Sequence, residues 1–196
     1  MKILAFETTD AVASVALYRD GETDLVLLST EKRHAESVLP AAEELLRRFG
    51  LVTADLDAFA VDVGPGSFTG VRIGVCLTNA LGVAHGKPVI AVNALEALAE
   101  PLLGTEETVC ALIDARNGNG YGAAYRAGNC IEPPCACEIE PFLERMPKGC
   151  RLTGTATEDG AMPKADAVAR IAAKRAGEKQ VSPVYLKPSQ AERMQS

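Results

Sequence analysis

The stretch Asp62–Gly74, DVGPGSFTGVRIG, places four glycines and one proline in thirteen residues between two apolar segments. Leu56 to Val63 reads as a strand leading into it, and Thr69 to Ala84 as a helix leading out, stopped by Gly86 and Pro88. A phosphate cradle of the P-loop kind needs a lysine after its last glycine, and this loop has none. The dinucleotide pattern begins correctly at Gly64-Pro65-Gly66, but position 69 is Thr and the next glycine falls one residue late, at Gly70. The loop signature, Gly64, Pro65, Gly66, Ser67, Phe68 and Thr69, therefore reads as a tight turn in which Ser67 or Thr69 caps the helix. The helix N-terminus can attract an anion or simply remain a capped turn.

Beyond the loop, Gly70, Gly74, Thr78 and Gly82 recur at every fourth position, so one flank of the helix is nearly bare and another backbone can come close. The remaining positions include Val71, Ile73, Val75, Cys76, Leu77, Ala80, Leu81 and Val83, with Arg72, Asn79 and His85 as the other polar side chains. A helix apolar nearly all round must be covered nearly all round. That cover comes either from the chain's own fold or from a second protein.

Working outward, Ile3–Thr8, Ala11–Leu17 and Leu25–Thr30 read as an antiparallel meander. A helix from Glu36 to Phe49 follows, with Val38, Leu39, Ala42, Leu45 and Leu46 on its apolar face, Pro40 in its first turn and Gly50 as its stop. Val89–Val92 is a further strand and Ala94–Leu98 a short helix. The pattern restarts after Pro101 with strands Val109–Ile113 and Tyr121–Tyr125 joined by ARNGNG, which divides the chain into 1–101 and a smaller 102–196. Cys130–Gly149 reads as one strand plus loop, Pro163–Ala176 as a last helix able to pack back on the first unit, and the tail from Lys187 as polar. Strands alternating with crossover helices give an α/β fold, and the two hairpin openings suggest a distant duplication.

At 196 residues and 47% hydrophobic content the chain can bury a real core, while its net charge of −6 argues against tight binding of nucleic acid by this chain alone. The opening MKILAFETT has no signal-peptide core and no run able to span a bilayer, so a cytoplasmic protein without membrane contact is expected. Six cysteines are expected as free thiols; Cys135 and Cys137 form a C-x-C, but His34 and His85 are far away, so no metal set is expected. Two histidines also leave no serine or cysteine hydrolase triad and no paired metal ligands on a helix. Four carboxylates remain: Glu7 and Asp10 flanking the Thr8-Thr9 turn, Asp62 and Asp114 each ending a strand. In actin-like and sugar-kinase-like folds such strand ends surround nucleotide phosphate and magnesium. An ATP-dependent phosphotransferase is thus the alternative, with Glu7, Thr8 and Thr9 as its cofactor-binding candidates.

FETT, RHAESVLP, VDVGPGSFTGVRIGVCLTNALG, LIDARNGNGYGAAY and PVYLKPSQAE together resemble the bacterial TsaB proteins, also called YeaZ, over most of the chain. The family usually carries a charged, β-branched pair where this chain has Asn119-Gly120, and its second half is longer. The resemblance implies a two-lobed, actin-like (ASKHA, ribonuclease-H-like) fold with mixed sheets. It implies a non-catalytic scaffold role, with TsaD and TsaE, in threonylcarbamoyl transfer to adenosine 37 of tRNAs reading codons that begin with A. ATP or ADP and a metal belong to that complex, none being bound by this chain alone, and tRNA is met only through it; an older label for the wider family is metallopeptidase-like. The two helices, through Val38, Leu39, Ala42, Leu45, Leu46, Gly70, Val71, Gly74, Val75, Thr78 and Gly82, would form an interface for TsaD and for a homodimer. On that reading a bulky residue at Gly74 weakens association without unfolding the chain.

Overall fold

The computed structural model describes residues 1–28, 34–104 and 106–186. Its first sheet has the order β3-β2-β1-β4-β5. β1 (Lys2–Glu7), β2 (Ser14–Arg19) and β3 (Glu22–Leu27) form the antiparallel meander, turning at Asp20 and Gly21, both at positive φ (48° and 106°). β4 (Ala58–Asp62) and β5 (Val89–Val92) then add in parallel, so the sheet is mixed. The third strand ends at Leu27; residues 29 and 30, expected in it, lie outside the described residues, as do Arg33, the side chain of His34 and the tail from Lys187.

Alternation along the strands sorts side chains by size. Leu4, Phe6, Val15, Leu17, Phe59 and Val61 face α1 (His34–Arg48) and α2 (Phe68–His85). Ile3, Ala5, Ala16, Ala58 and Ala60 face the other way, where α5 (Ala165–Ala172) lies on them with its own alanines. Small residues on both partners let that helix sit close to the sheet. With both faces covered, β1 and β4 are almost wholly buried, which is why they read as continuous apolar runs.

The second sheet has the order β8-β7-β6-β9, repeating the first: an antiparallel meander of β6 (Thr108–Asp114), β7 (Asn119–Arg126) and β8 (Asn129–Glu138), then β9 (Arg151–Thr153) parallel to β6. One face rests on α3 (Ala94–Ala99) through Leu95, Leu98, Val109, Ala111 and Ala123. Two such sheets with helical crossovers make the two-lobed actin-like fold. The chain crosses between them: α3 precedes Pro101 yet packs on the second sheet, and α5 follows it yet packs on the first. Arg170 of α5 fastens this crossing, donating through Nε and Nη2 to Glu100 at 2.8–3.0 Å and through Nη1 to Asp166 at 3.0 Å.

Three expectations are corrected. Pro40 lies in the second turn of α1, because the helix begins at His34. The segment Cys130–Gly149 holds a helix as well as a strand: α4 (Ile139–Glu144) drops Phe142 onto Gly122, where an added Cβ would meet the ring at 2.9 Å, and Ile139 onto Gly120. Absent side chains on β7 created that seat, which is invisible within the segment itself. The last helix is shorter than Pro163–Ala176, because Lys164 is extended (φ −135°) and residues 173–175 close in tighter turns.

Candidate functional site: an interlobe cleft and an outward helix face

The glycine loop begins where β4 delivers Asp62. Gly64 takes a φ of +97°, and its N–H donates to Asp62 Oδ1 at 2.8 Å. Gly66 passes so close to Thr9 that a Cβ would lie 2.6 Å from the Thr9 carbonyl oxygen, and Ser67 N–H donates to that oxygen at 2.7 Å. Ser67 then caps α2 by accepting from Gly70 N–H at 3.3 Å. The bare flank of the helix receives the end of β1: added Cβ atoms would lie 1.9 Å from the Thr8 carbonyl oxygen at Gly70 and 2.5 Å from Thr8 Oγ1 at Gly74. Thr8 Oγ1 donates to Gly70 O at 2.7 Å, and farther along Gly82 makes room for Val89. The glycines thus serve helix-to-strand approach inside the chain.

Glu7 and Asp62, at the ends of neighbouring parallel strands, are both fully buried. Glu7 Oε1 accepts from Thr9 N–H at 2.5 Å and from Thr9 Oγ1 at 2.8 Å, and Thr9 Oγ1 lies 3.4 Å from Asp62 Oδ2. Glu7 Oε2 is buried without a partner among the described residues. Burial pushes Asp62 up to about 7, and burial followed by the neighbouring Asp62 charge raises Glu7 well above the usual carboxylate range. Burial thus favours the protonated form in this pair, and its hydrogen bonds tie the turn after β1 to the loop after β4.

Those two turns form one wall of a cleft of about 620 Å³ between the lobes. Thr9, Asp10 and Ser67 line one side; Asp114, Arg116 and Tyr121 line the other. The β6–β7 turn is held by Arg116 N–H donating to Asp114 Oδ1 at 2.8 Å and by Asp114 N–H donating to Thr155 Oγ1 at 3.0 Å. Asp10 and Asp114 thus face the cleft, whereas Glu7 and Asp62, read from sequence as their equals, are sealed behind it. Thr8 is sealed as well, and of the three cofactor candidates only Thr9 reaches the cleft. Among the described residues no group of three or more His, Cys, Asp or Glu is placed to hold a metal ion, and the six cysteines are free.

The second feature is α2 itself. Val71, Val75 and Thr78 are at most 3% exposed and Gly70, Gly74 and Gly82 are buried, all turned to the sheet. Val38, Ala42, Leu45 and Leu46 of α1 are likewise closed in the same core, and of the named interface residues Leu39 alone stands at the surface. The surface that α2 offers is the opposite one: Thr69, Arg72, Cys76, Ala80 and Val83 are exposed, Val83 by 65%, with Ile73 half-buried beside them. Their spacing of three and four marks this exposed face, whereas the glycine repeat that the sequence reading followed lies on the side turned to the sheet.

A strap of residues 177–185 flanks that face. Glu178 and Val89 exchange backbone hydrogen bonds of 2.8 Å along the edge of β5, and Val184 N–H donates to Val63 O at 2.8 Å. Asn79 of α2 grips the backbone of Val181 from both sides, donating at 2.9 Å and accepting at 3.0 Å. Tyr185 stacks on Phe68 with ring centroids 4.9 Å apart, and Arg72 Nε donates to the Tyr185 hydroxyl at 3.0 Å.

The family model described as TsaD: tRNA N6-adenosine threonylcarbamoyltransferase matches residues 28–181. The tRNA threonylcarbamoyladenosine biosynthesis protein TsaB of Escherichia coli is 36% identical over 128 residues, covering 64% of this chain and 55% of that protein. TsaB of Bacillus subtilis is 34% identical over 130 residues, covering 66% and 57%. The chain spans a little over half the length of these relatives. Among solved structures, YeaZ from Pseudomonas aeruginosa superposes with a TM-score of 0.78 at 28% identity, covering 94% of this chain and 99% of that one. A second Pseudomonas aeruginosa structure, described as similar to peptidase YEAZ, gives 0.81 with 95% and 99% coverage.

Proposed function

The chain belongs to the TsaB (YeaZ) family, and from that membership we propose that it is the non-catalytic scaffold subunit of a tRNA threonylcarbamoyladenosine assembly in the cytoplasm. In this reading it holds TsaD, which performs the transfer to adenosine 37 of tRNAs reading codons that begin with A. TsaE joins the pair, ATP or ADP and a metal are bound by the complex, and a second copy of this chain competes for the same face.

The observation that carries the reading is the outward side of α2, where Cys76, Ala80 and Val83 stand uncovered on a helix whose other side is fully packed. Exposed apolar side chains in a row on a rigid helix are what a partner helix packs against. The formal charge of −6 fits a protein that meets tRNA through its partners. Co-expression with the same organism's TsaD and TsaE, followed by measurement of tRNA modification with and without this chain, tests it. Modification that depends on the chain is expected, and equal modification in its absence overturns the reading.

A second reading, ATP binding or phosphotransfer, is favoured by the polar cleft between the β1–β2 turn, the glycine loop and the β6–β7 turn. Titration calorimetry with ATP and magnesium decides it, since binding by the isolated chain supports nucleotide chemistry in that cleft.

A further inference from the structure

Arg72 lies at the border between the bare strip of α2 and the strap. Its guanidinium carbon sits 3.8 Å from the centre of the Phe68 ring and 5.9 Å from that of Tyr185, and its Nε–H is fixed by the Tyr185 hydroxyl. It makes no ion pair among the described residues, whereas Arg19, Arg47, Arg48, Arg145, Arg170 and Arg175 each have a carboxylate. An exposed arginine ordinarily moves among many rotamers, and ordering it costs conformational entropy. Here the ring beneath it and the hydroxyl at Nε meet that cost before any partner arrives. Stacking occupies the face of the guanidinium and Tyr185 takes its Nε–H, which leaves the two Nη groups in plane to donate to a carboxylate.

The strap explains how the arrangement is held. Tyr185 is placed by Val184 on Val63 and by Val181 on Asn79, so its ring position is set by backbone contacts on both sides of the helix N-terminal half. The strap and α2 thus converge to hold a cation that has no ion pair among the described residues beside an apolar strip. A rigid arginine next to an apolar surface is the type of residue that dominates protein interfaces.

We propose that Arg72 is the charge-reading anchor of the α2 face, and that it receives a carboxylate from the partner protein that packs on Cys76, Ala80 and Val83. The inference rests on the scaffold reading and adds to it the chemistry of the partner: an apolar segment carrying an aspartate or glutamate where it meets the start of α2. Tyr185 is a positioning residue for this contact, acting through Arg72.

The test is titration of the intact chain with purified TsaD from the same organism at low and high salt, using Arg72→Gln, Arg72→Lys, Tyr185→Phe and, as a control for the face, Ala80→Arg. Circular dichroism melts verify folding, which exposed positions should leave unchanged. Arg72→Gln is expected to weaken binding roughly tenfold or more and to flatten its salt dependence, and Arg72→Lys to keep the salt dependence with part of the affinity. Tyr185→Phe, which frees Nε, is expected to lose affinity in wild type but nothing further in the Arg72→Gln background. If Ala80→Arg abolishes binding while Arg72→Gln changes it less than twofold, the anchor is refuted and the face stands. If neither matters, the face itself is refuted and the anchor with it. Loss of self-association alone, with affinity for TsaD unchanged, also overturns the proposal, because the carboxylate then belongs to a second copy.

Discussion

Gly70 of α2 is laid directly on Thr8 of β1: a Cβ at position 70 would stand 1.9 Å from the Thr8 carbonyl oxygen, while Thr8 Oγ1 donates back to the carbonyl of Gly70 at 2.7 Å. The side chain of residue 8 fills the notch, and its hydroxyl satisfies a polar atom that the close approach would otherwise strand. Fold and glycine signature are therefore one fact, since the helix can come this close to Thr8 only where it has no side chains.

Gly70→Ala is expected to destabilise the chain by about 2–3 kcal/mol or more, because the obstructing atom is backbone and cannot rotate away. Gly74→Leu meets Thr8 Oγ1 at 2.5 Å and Val61 at 3.2 Å already with its Cβ, so it too is expected to unfold the chain rather than to weaken association selectively. Thermal melts of the purified variants check both, and native stability in either would show that α2 can retreat from β1.

The Glu7–Asp62 pair makes stability depend on pH in the direction opposite to that of a salt-bridged acid. Both groups are raised in the folded chain, Asp62 from 3.8 to about 7, so between those values the folded state binds more protons than the unfolded one. The contribution is full below about pH 4 and is lost as pH rises through 7. Asp62→Asn keeps an oxygen for Gly64 N–H and offers an amide to Thr9, and it removes the Asp62 part of that loss, leaving Glu7 raised by its own burial. The expected outcome is a melting temperature closer to constant from pH 5 to 8 than in wild type, and parallel curves would mean that the pair does not titrate there.

Much of the first lobe could be read directly, and the reasons lie in its residues. Val89–Val92 is short, apolar and flanked by Pro88 and Asn93, and its bounds coincide with those of β5. The end of α2 at Gly86 follows from a left-handed residue (φ 62°) that glycine supplies without strain. What escaped local reading depended on contacts made elsewhere. Nothing in Ile139–Glu144 announces a helix until Gly120 and Gly122 are seen to seat it. Three-residue β9 is a strand because Val109–Ala111 pairs with it. At the candidate site, the chain's apolar content identified α2 as needing cover, but it could not say which side its own sheet would take. Likewise Glu7 and Asp10 look alike in sequence, three residues apart, yet one is sealed and the other opens on the cleft.

The seat of α4 predicts a coupling between two positions. Phe142 is fully buried, so Phe142→Ala is expected to cost about 3–5 kcal/mol. Gly122→Ala should be destabilising in the wild type, where the new methyl meets the ring at 2.9 Å. In the Phe142→Ala background the same methyl enters the vacated space, so its cost should shrink or change sign. Denaturant melts of the four chains give the cycle, and additive effects would mean that α4 is not held by this contact.

The strap offers a last test, because its backbone is tied to α2 through one side chain, Asn79. Asn79→Ala removes both hydrogen bonds to Val181 and leaves that residue's N–H and C=O without their partner. A loss of about 1–3 kcal/mol is the general cost of such a deletion when the groups stay buried. Much of it here should appear as local opening, since the strap can lift into water without disturbing either core. Native-state hydrogen exchange distinguishes the cases. The Glu178 and Val184 amides donate to Val89 and Val63, so they touch neither Asn79 nor each other. If the strap opens as a unit, Asn79→Ala accelerates exchange at all three amides by a similar factor, roughly tenfold or more. Acceleration confined to Val181 would show three independent contacts and would leave Tyr185, and the arginine that leans on it, anchored without help from Asn79.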